Sequence, residues 1–328
     1  MKPVLPAALL VICAVSPSLA HAQNYPNKTI RMIVPFPAGG ATDIVARLVA
    51  QKLGDAMGQQ VIVDNRGGAA GTIGSDLAAK SPPDGYTILI GTSSTHAIAQ
   101  SLYAKLPYDS VRDFAPVIGI ATATIVLSMH PSVPAKTVKE LIALAKSKPD
   151  ALSFASSGSG GVSHLVGEMF KAQAGVQMLH IPYKGDAPAL ADLVGGQVSL
   201  EFGTALSFLP YIQSSRLKAL AVTSLKRSLV MPDVPTVAES GLKGFEALQW
   251  FGVFAPAGTR AEVVTRLNSE IVKILHTADM RERLTKLASE VMADTPDQFA
   301  AFQKAEIAKW AKVVKDSGAG SIEYEQSS

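Results

Sequence analysis

The stretch Thr29-Ile-Arg-Met-Ile-Val-Pro-Phe-Pro-Ala-Gly-Gly-Ala-Thr-Asp43 joins a short apolar run to a glycine-containing loop. The β-branched residues at its start are typical of a buried strand. After the loop, apolar residues recur at helical spacing from Asp43 to Met57, and Gly58 follows as a helix-ending residue. The stretch therefore predicts a strand, a tight loop and an amphipathic helix, in that order.

The same alternation of strand and helix continues along the chain. Further strands are predicted at 61–63, 86–91, 124–129, 152–155, 178–181, 198–202, 219–222 and 250–255. Further helices are predicted at 71–80, 137–146, 162–174, 262–276 and 296–315. This order predicts an α/β fold with two mostly parallel sheets flanked by helices.

The first 22 residues have the features of a secretory signal peptide. Lys2 supplies the positive charge, residues 4–15 are an apolar run, and Ala20-His21-Ala22 fits the cleavage pattern. The run covers about a dozen residues, whereas a membrane span needs roughly 20. We therefore expect no stable membrane insertion and a periplasmic location after cleavage.

Composition narrows the function further. The remaining chain is about twice the length of a typical ~150-residue domain, which predicts two domains. Cys13 is the only cysteine and lies in the signal peptide, so disulfides, thiolate metal sites and a cysteine nucleophile are excluded from the mature chain. Lysine and arginine are dispersed and the net charge is only +3, which argues against a nucleic-acid surface.

A second loop is similar to the first. Residues 35–43 and 156–164 each lie between a predicted strand and a predicted helix, and both contain adjacent glycines. Ligands of open α/β sheets bind beyond the carboxyl ends of strands. We therefore expect the two loops to belong to different lobes and to face one cleft, with lobe 1 at 23–123 plus 224–328 and lobe 2 at 124–223.

Both loops have the chemistry of an anion site. Glycine lets backbone N–H groups approach a ligand, and each helix N-terminus favours a negative charge by about 0.3–1 kcal/mol. The phosphate pattern Gly-x-x-x-x-Gly-Lys-[Ser/Thr] and the dinucleotide pattern Gly-x-Gly-x-x-Gly are absent, so a carboxylate fits best. Each loop could instead be a simple turn, with Asp43 a first-turn helix residue.

No pattern predicts catalysis, a metal or a cofactor. Gly-x-Ser-x-Gly is not satisfied around Ser159, and the histidines lack metal-binding spacing. His164 is interpreted as a loop-packing residue and Glu201 as a buried carboxylate at a strand end. The pair Tyr183-Lys184 either faces the cleft or forms a solvated turn.

Seven blocks, spread over nearly the whole mature chain, resemble the Bug family, the periplasmic receptors of tripartite tricarboxylate transporters. One block is Tyr25 to Asp43, and another is Pro182-Tyr-Lys-Gly-Asp-Ala-Pro-Ala-Leu190. The others are residues 63–71, 83–87, 113–117, 156–165 and 251–259. The resemblance implies a two-lobed fold similar to type II periplasmic binding proteins, with a hinge and two crossings between the lobes.

The resemblance also implies that residues 36–43 and 156–164 pinch a carboxylate and that 92–94 adds polar contacts. With the loop chemistry, it gives the candidate ligand-binding residues Phe36, Ala38, Gly39, Gly40, Thr42, Asp43, Thr92, Ser93, Ser94, Ser156, Gly158, Ser159, Gly160, His164, Tyr183, Lys184 and Thr204. The expected partners are a small carboxylate and the transporter's membrane subunits, and a monomer is expected.

One departure from the family concerns the ligand. Members often carry an acid or amide near position 203, whereas this chain has Gly203 and Thr204. The roomier, uncharged wall favours an amine-free acid, either a dicarboxylate or an aromatic carboxylate. Two other functions stay open at this point: a secreted two-lobed hydrolase and a sensory adaptor for a membrane kinase.

Overall fold

The computed structural model describes residues 25–149 and 151–319, so the predicted signal peptide lies outside the described residues. The strands are β1 (Ile30–Val34), β2 (Val61–Asn65), β3 (Thr87–Thr92), β4 (Phe114–Met129), β5 (Ser153–Ser156), β6 (Leu179–Pro182), β7 (Leu200–Thr204), β8 (Lys218–Val222), β9 (Leu248–Pro256) and β10 (Ser289–Val291). The α-helices are α1 (Ala41–Met57), α2 (Thr72–Ala79), α3 (Ala99–Leu102), α4 (Val138–Ser147), α5 (Val162–Ala174), α6 (Asp186–Val194), α7 (Ala205–Gln213), α8 (Ala261–Leu275), α9 (Ala278–Lys286) and α10 (Pro296–Ser317).

Lobe 1 is built on a sheet with the strand order β2-β1-β3-β9-β4, and β10 pairs with β4. Strand β1 is parallel to β2 and β3. Helices α1 and α8 pack together over this sheet, and their apolar residues share one buried core with β1 and β3. The periodic apolar residues of α1, such as Val45, Val49 and Leu53, are buried in that core, which explains why this helix was predictable.

Lobe 2 is built on a second sheet with the order β6-β5-β7-β4-β8. Strand β5 is parallel to β6 and β7, with Phe154 facing Leu200 and Ala155 facing Glu201. One face of β5 and β7 packs on α5 through Phe154, Phe170 and Phe202. The opposite face packs on α6 and α7.

Strand β4 runs through both sheets and therefore joins the lobes. Its first part pairs with β9 and its last residues, from Ile125, pair with β7 and β8. Both sheets are more mixed than the sequence predicted, because β4 and β9 run antiparallel to all their neighbours. Only residues 124–129 of β4 were predicted as a strand, since Pro116 and Gly119 interrupt the pattern of the first part.

Helix α10 also connects the two lobes. It contacts α5 of lobe 2 and the segment of lobe 1 from Ser94 to Leu102. The predicted helix is present, and its aromatic residues Phe299 and Trp310 are fully buried. Its start is fixed by a capping box in which Thr295 and Gln298 bond each other's backbone N–H groups.

Four α-helices escaped prediction: α3 has only four residues, and the other three lack clear local signals. Helix α6 carries Pro188 in its first turn, and α7 contains Pro210 in its interior. Helix α9 is short and strongly polar, so only Met280 and Leu284 are buried. Proline and weak amphipathicity remove the signals on which a single sequence depends.

Candidate functional site

The loops that follow β1, β3, β5, β6 and β7 meet between the lobes, at the carboxyl ends of these strands. They enclose a small cavity of about 30 Å³. Its walls are Phe36, Ala41, Thr42, Ser94, Ile125, Ser157, Val162, Ser163, Asp186, Phe202, Gly203, Thr204, Gln249 and Phe251. A volume of this size holds only a water molecule or two, since one water needs roughly 10–15 Å³ of such space. An organic acid can therefore enter only if the lobes or side chains move apart.

The first loop is held by Asp43, whose carboxylate lies outside the cavity wall. It accepts hydrogen bonds from Gly39 N at 2.9 Å, Arg47 Nε at 2.9 Å and Asn65 Nδ2 at 2.9 Å. Burial alone would raise the pKa of Asp43, but the bonds from Arg47, Gly39 and Asn65 together hold this pKa below its usual value. Asp43 therefore braces the loop as an anion, and Thr42 faces the cavity.

The second loop is held by hydroxyls and two neutral histidines. His164 Nδ1 accepts from Gly160 N at 3.1 Å, and the His164 ring stacks on His180 with centroids 4.0 Å apart. His180 Nε2 lies 2.6 Å from Ser156 Oγ. Burial, assisted by neighbouring positive charge, lowers the pKa of His164 to about 3 and that of His180 to about 4. Both rings are therefore neutral near neutral pH, and His164 packs against His180 within the loop region.

Hydrogen bonds cross directly from one lobe to the other around the cavity. Val162 N, in the first turn of α5, donates to Ser94 Oγ at 3.0 Å. Tyr103 Oη of lobe 1 donates to the carbonyl of Ser159 in lobe 2 at 3.1 Å. The hydroxyl proton of Ser94 stays available for a ligand oxygen, because its oxygen acts as the acceptor.

One acidic residue of lobe 2, Asp186, lines the cavity, and a second, Glu201, is buried near it. The carboxyl group of Asp186 lies near the Ser157 hydroxyl and Ala41 N of lobe 1, and all three residues line the cavity. Burial raises the pKa of Asp186 in spite of these two neighbouring donors. Glu201 is 1% exposed, and its pKa is raised well above the usual value by burial first and by the charge of Asp186 second.

The predicted ligand-binding residues fall into three groups. Four of them line the cavity: Phe36, Thr42, Ser94 and Thr204. A second group supports the loops behind the wall: Gly40, Asp43, Thr92, Ser93, Ser156, Gly158, Ser159, Gly160 and His164. A third group lies away from the wall: Ala38, Gly39 and Lys184 are exposed, and Tyr183 donates to Asp192 at 2.7 Å.

Sequence reasoning missed several cavity residues. Ile125 and Phe251 lie on the crossing strands, and Gln249 accepts from Ser93 Oγ at 2.7 Å, so these positions become neighbours only through the tertiary fold. Asp186 carried a usable signal, because it begins a helix directly after the predicted strand at 178–181. The predicted preference for a ligand without an amine was based on Gly203 in the cavity wall. Asp186 adds a carboxyl group to that wall.

A larger cavity of about 630 Å³ lies elsewhere, behind the return segment that connects β8 to β9. It is lined by residues 224–230 and by the region around β10. No residue of either glycine loop lines it, and of its basic residues Lys226, Arg227 and Arg281, Arg227 is paired with Glu239. The small interlobe cavity is therefore the better ligand site, because the helix N-termini and cross-lobe bonds converge there.

The chemistry of the interlobe cavity suits an anion with an apolar body. Hydroxyls and the first-turn N–H groups of α1 and α5 supply donors at one side, while Phe36, Ile125, Phe202 and Phe251 form an apolar wall. Of the described residues that line it, none is lysine, arginine or histidine. Among the described residues we find no group of three or more potential metal ligands and no helix long and apolar enough to cross a membrane.

The fold and the site define a two-lobed binding protein with a cavity between its lobes. Residues 45–319 match the sequence profile described as the tripartite tricarboxylate transporter family receptor. The chain is 40% identical to the protein BugT of Bordetella pertussis over 299 residues, which cover 91% of this chain and 92% of BugT. The chain therefore belongs to this receptor family, also known as the Bug family.

Solved structures agree with this assignment. The protein Rpa4515 of R. palustris, solved with adipate, is 38% identical with a TM-score of 0.89, covering 91% of this chain and 100% of that one. MatC of Rhodopseudomonas palustris, solved with bound malate, is 34% identical with a TM-score of 0.85, covering 88% of this chain and 100% of that one. The two-lobed binding-protein fold predicted from the sequence is confirmed.

Proposed function

We propose that this protein is a periplasmic solute-binding receptor that captures a small carboxylate between its lobes and delivers it to a tripartite tricarboxylate-type transporter. The observation that carries the proposal is the meeting of two helix N-termini, one from each lobe, at one cavity with an apolar wall. Related proteins were solved with adipate and malate, both small dicarboxylates. A dicarboxylate or an aromatic carboxylate is the proposed ligand class.

Capture would occur by closure of the lobes. A carboxylate between the first turns of α1 and α5 contacts both lobes only when the cleft is shut, so the ligand stabilises the closed form over the open one. Crossing strand β4 and the return segment at 223–247 supply the hinge, where Thr223 Oγ1 contacts the carbonyls of Ile125 and Ala247. We propose lobe boundaries at 23–123 plus 224–328 and at 124–223.

The other parts of the proposal rest on the sequence and the family. The signal peptide over residues 1–22 would direct the chain to the periplasm, and the transporter's membrane subunits would recognise the closed receptor as a monomer. A hydrolase is not favoured, because Ser156 is fully buried and its contact His180 has a pKa of about 4. No observation favours a sensory role over delivery.

A thermal-shift screen of the mature protein tests the proposal. The panel would contain adipate, malate, benzoate, aspartate and glutamate, with the neutral amides of the first three as controls. A ligand at a hundredfold excess over Kd stabilises the folded form by about 2.7 kcal/mol. We expect a rise in Tm with an amine-free acid and none with its amide. A larger Tm shift with aspartate or glutamate would contradict the prediction of an amine-free ligand. No Tm shift with any acid would contradict carboxylate binding.

A further inference from the structure

Asp186 lies at donors that a ligand carboxylate would use. Its carboxyl group is close to Ala41 N at the start of α1 and to the hydroxyl of Ser157 in the second loop, so it contacts both anion-binding loops from one cavity wall. It also comes close to the first loop, because a Cβ atom added at Gly40 would lie 3.4 Å from Asp186 Oδ2. The chain thus holds a carboxylate of its own at the anion-binding loops.

The placement of Asp186 is not explained by its own helix. It is the first residue of α6, and no side chain of the described residues caps that helix, whose N-cap is Gly185. The side chain instead reaches across to the first turn of α1. The N-terminus of α6 favours the negative charge of Asp186, and that of α1 does the same from the other lobe.

The surroundings of Asp186 make a second negative charge costly. Glu201 on β7 is buried beside it, and Glu201 Oε2 has no hydrogen-bond partner among the described residues. Of the ionisable groups on the neighbouring elements, Arg47 of α1 is bonded to Asp43, and Tyr183 is bonded to Asp192. Lys184 lies in the connection before α6 and is exposed. Tyr211 of α7 packs against the apolar core that also contains residues of α6. None of these groups supplies a cation to the carboxyl pair.

We propose that Asp186 is a specificity-determining residue that acts as a built-in competitor: a ligand carboxylate binds by taking its donors, and the displaced acid pair takes up a proton. The inference rests on the proposed carboxylate-binding function and deepens it. The proton comes from solvent and stays shared between the displaced Asp186, Glu201 and the incoming carboxylate, so no covalent bond changes. Buried carboxyl groups at close range cannot all ionise, which makes proton uptake the less costly outcome.

The sign of the pH dependence follows from this scheme. The complex binds more protons than the free protein, so affinity for a carboxylate rises as pH falls. The change approaches tenfold in Kd for each pH unit while one full proton is taken up, and it vanishes once the free protein is already protonated.

Calorimetric titration of the full mature protein with adipate, malate and benzoate tests the proposal. Titrations at about pH 6 and about pH 8, in buffers of different ionisation enthalpy, count the protons taken up. We expect uptake of about one proton per bound ligand molecule for the native chain. In Asp186→Asn the uptake should disappear, and carboxylates should bind about tenfold tighter at the higher pH because the competing charge is gone. Asp55→Asn, which changes an exposed aspartate near the other end of α1, should behave as the native chain.

The outcomes separate this inference from the proposed function. Carboxylate binding without proton uptake, and with equal affinity in the native and Asp186→Asn chains, would overturn the competitor role and leave carboxylate capture intact. Weaker binding of an amine-bearing ligand by Asp186→Asn would also overturn it, because Asp186 would then be a partner for a cation. Failure of all carboxylates with both chains would overturn both proposals. If Asp186→Asn does not fold, the proton count on the native chain still decides.

Discussion

The two glycine loops look alike in sequence and are braced in opposite ways. The first loop, residues 35–43, is held by the ionised carboxylate of Asp43, which gathers Gly39, Arg47 and Asn65. The second loop, residues 156–164, is held by hydroxyls and by the neutral, stacked rings of His164 and His180. The first brace depends on a charge being present, and the second depends on charge being absent.

The difference shows that two similar glycine loops can be stabilised by opposite electrostatic arrangements. Arg47 is half exposed, so water and salt screen its bond to Asp43. The second loop is enclosed by the cleft, and burial dominates the behaviour of its histidines. Mutations and pH changes should therefore separate the two loops, and the following predictions run from the largest expected effect to the smallest.

The largest effect should come from a glycine of the second loop. Gly160 has φ +87°, and a Cβ there would lie 2.6 Å from Leu102 Cδ2 and 2.9 Å from Tyr103 Oη, both in lobe 1. Gly160→Val adds left-handed backbone strain of about 1–2 kcal/mol and an overpacking cost of about 1–3 kcal/mol in the closed form. We expect a loss of carboxylate affinity of about a hundredfold, measured by titration calorimetry.

The matching change in the first loop should cost less. Gly40 has an ordinary φ of −79°, and a Cβ there would make ordinary contact with Asp186. Gly40→Val should weaken binding by about tenfold, with Ala56→Val on the exposed end of α1 as a control that changes neither loop. Equal effects of the two glycine substitutions would show that the loops contribute alike to closure.

Much of the molecule was readable from the sequence because its signals are local. The amphipathic residues of α1, α5 and α8 placed those helices within two residues, and the two loops were located from their glycines. The site was harder, because Phe251 and Gln249 reach the cavity on β9, some 200 residues after the first loop. No local pattern reports which strand lies beside which, and the first part of β4 lacks alternation because it is buried on both faces.

The next prediction concerns the stability of the second loop at low pH. In an unfolded chain His164 and His180 titrate near 6.5, whereas in the fold their pKa values are about 3 and about 4. The unfolded chain binds more protons below 6.5, so stability is complete above that pH and falls as pH drops towards about 4. The loss approaches 1.4 kcal/mol per pH unit for each histidine. Hydrogen-exchange protection at 156–164 should therefore decline before protection at 35–43.

A single substitution isolates the histidine contribution to this decline. His164→Gln keeps an acceptor for Gly160 N but removes the titration, so the fall in stability between about pH 6.5 and about pH 4 should become shallower. His276→Asn changes an exposed histidine at the end of α8 and should leave the slope unchanged. An unaltered slope in His164→Gln would assign the acid sensitivity to groups outside the second loop.

The smallest effect should come from Asp43→Asn. An amide has one acceptor oxygen, so it cannot serve both the Asn65 donor at Oδ1 and the Gly39 and Arg47 donors at Oδ2. The exposed position of Arg47 limits the cost to about 1 kcal/mol at neutral pH. The pKa of Asp43 is lowered in the fold, so its stabilisation is present above 3.8 and is lost as pH falls below that value. Urea denaturation should show the two chains differing at neutral pH and converging in acid. The second loop should show the opposite trend. There, lowering the pH towards about 4 should change the difference in unfolding free energy between the native chain and His164→Gln, because only the native chain loses the stabilisation from this histidine.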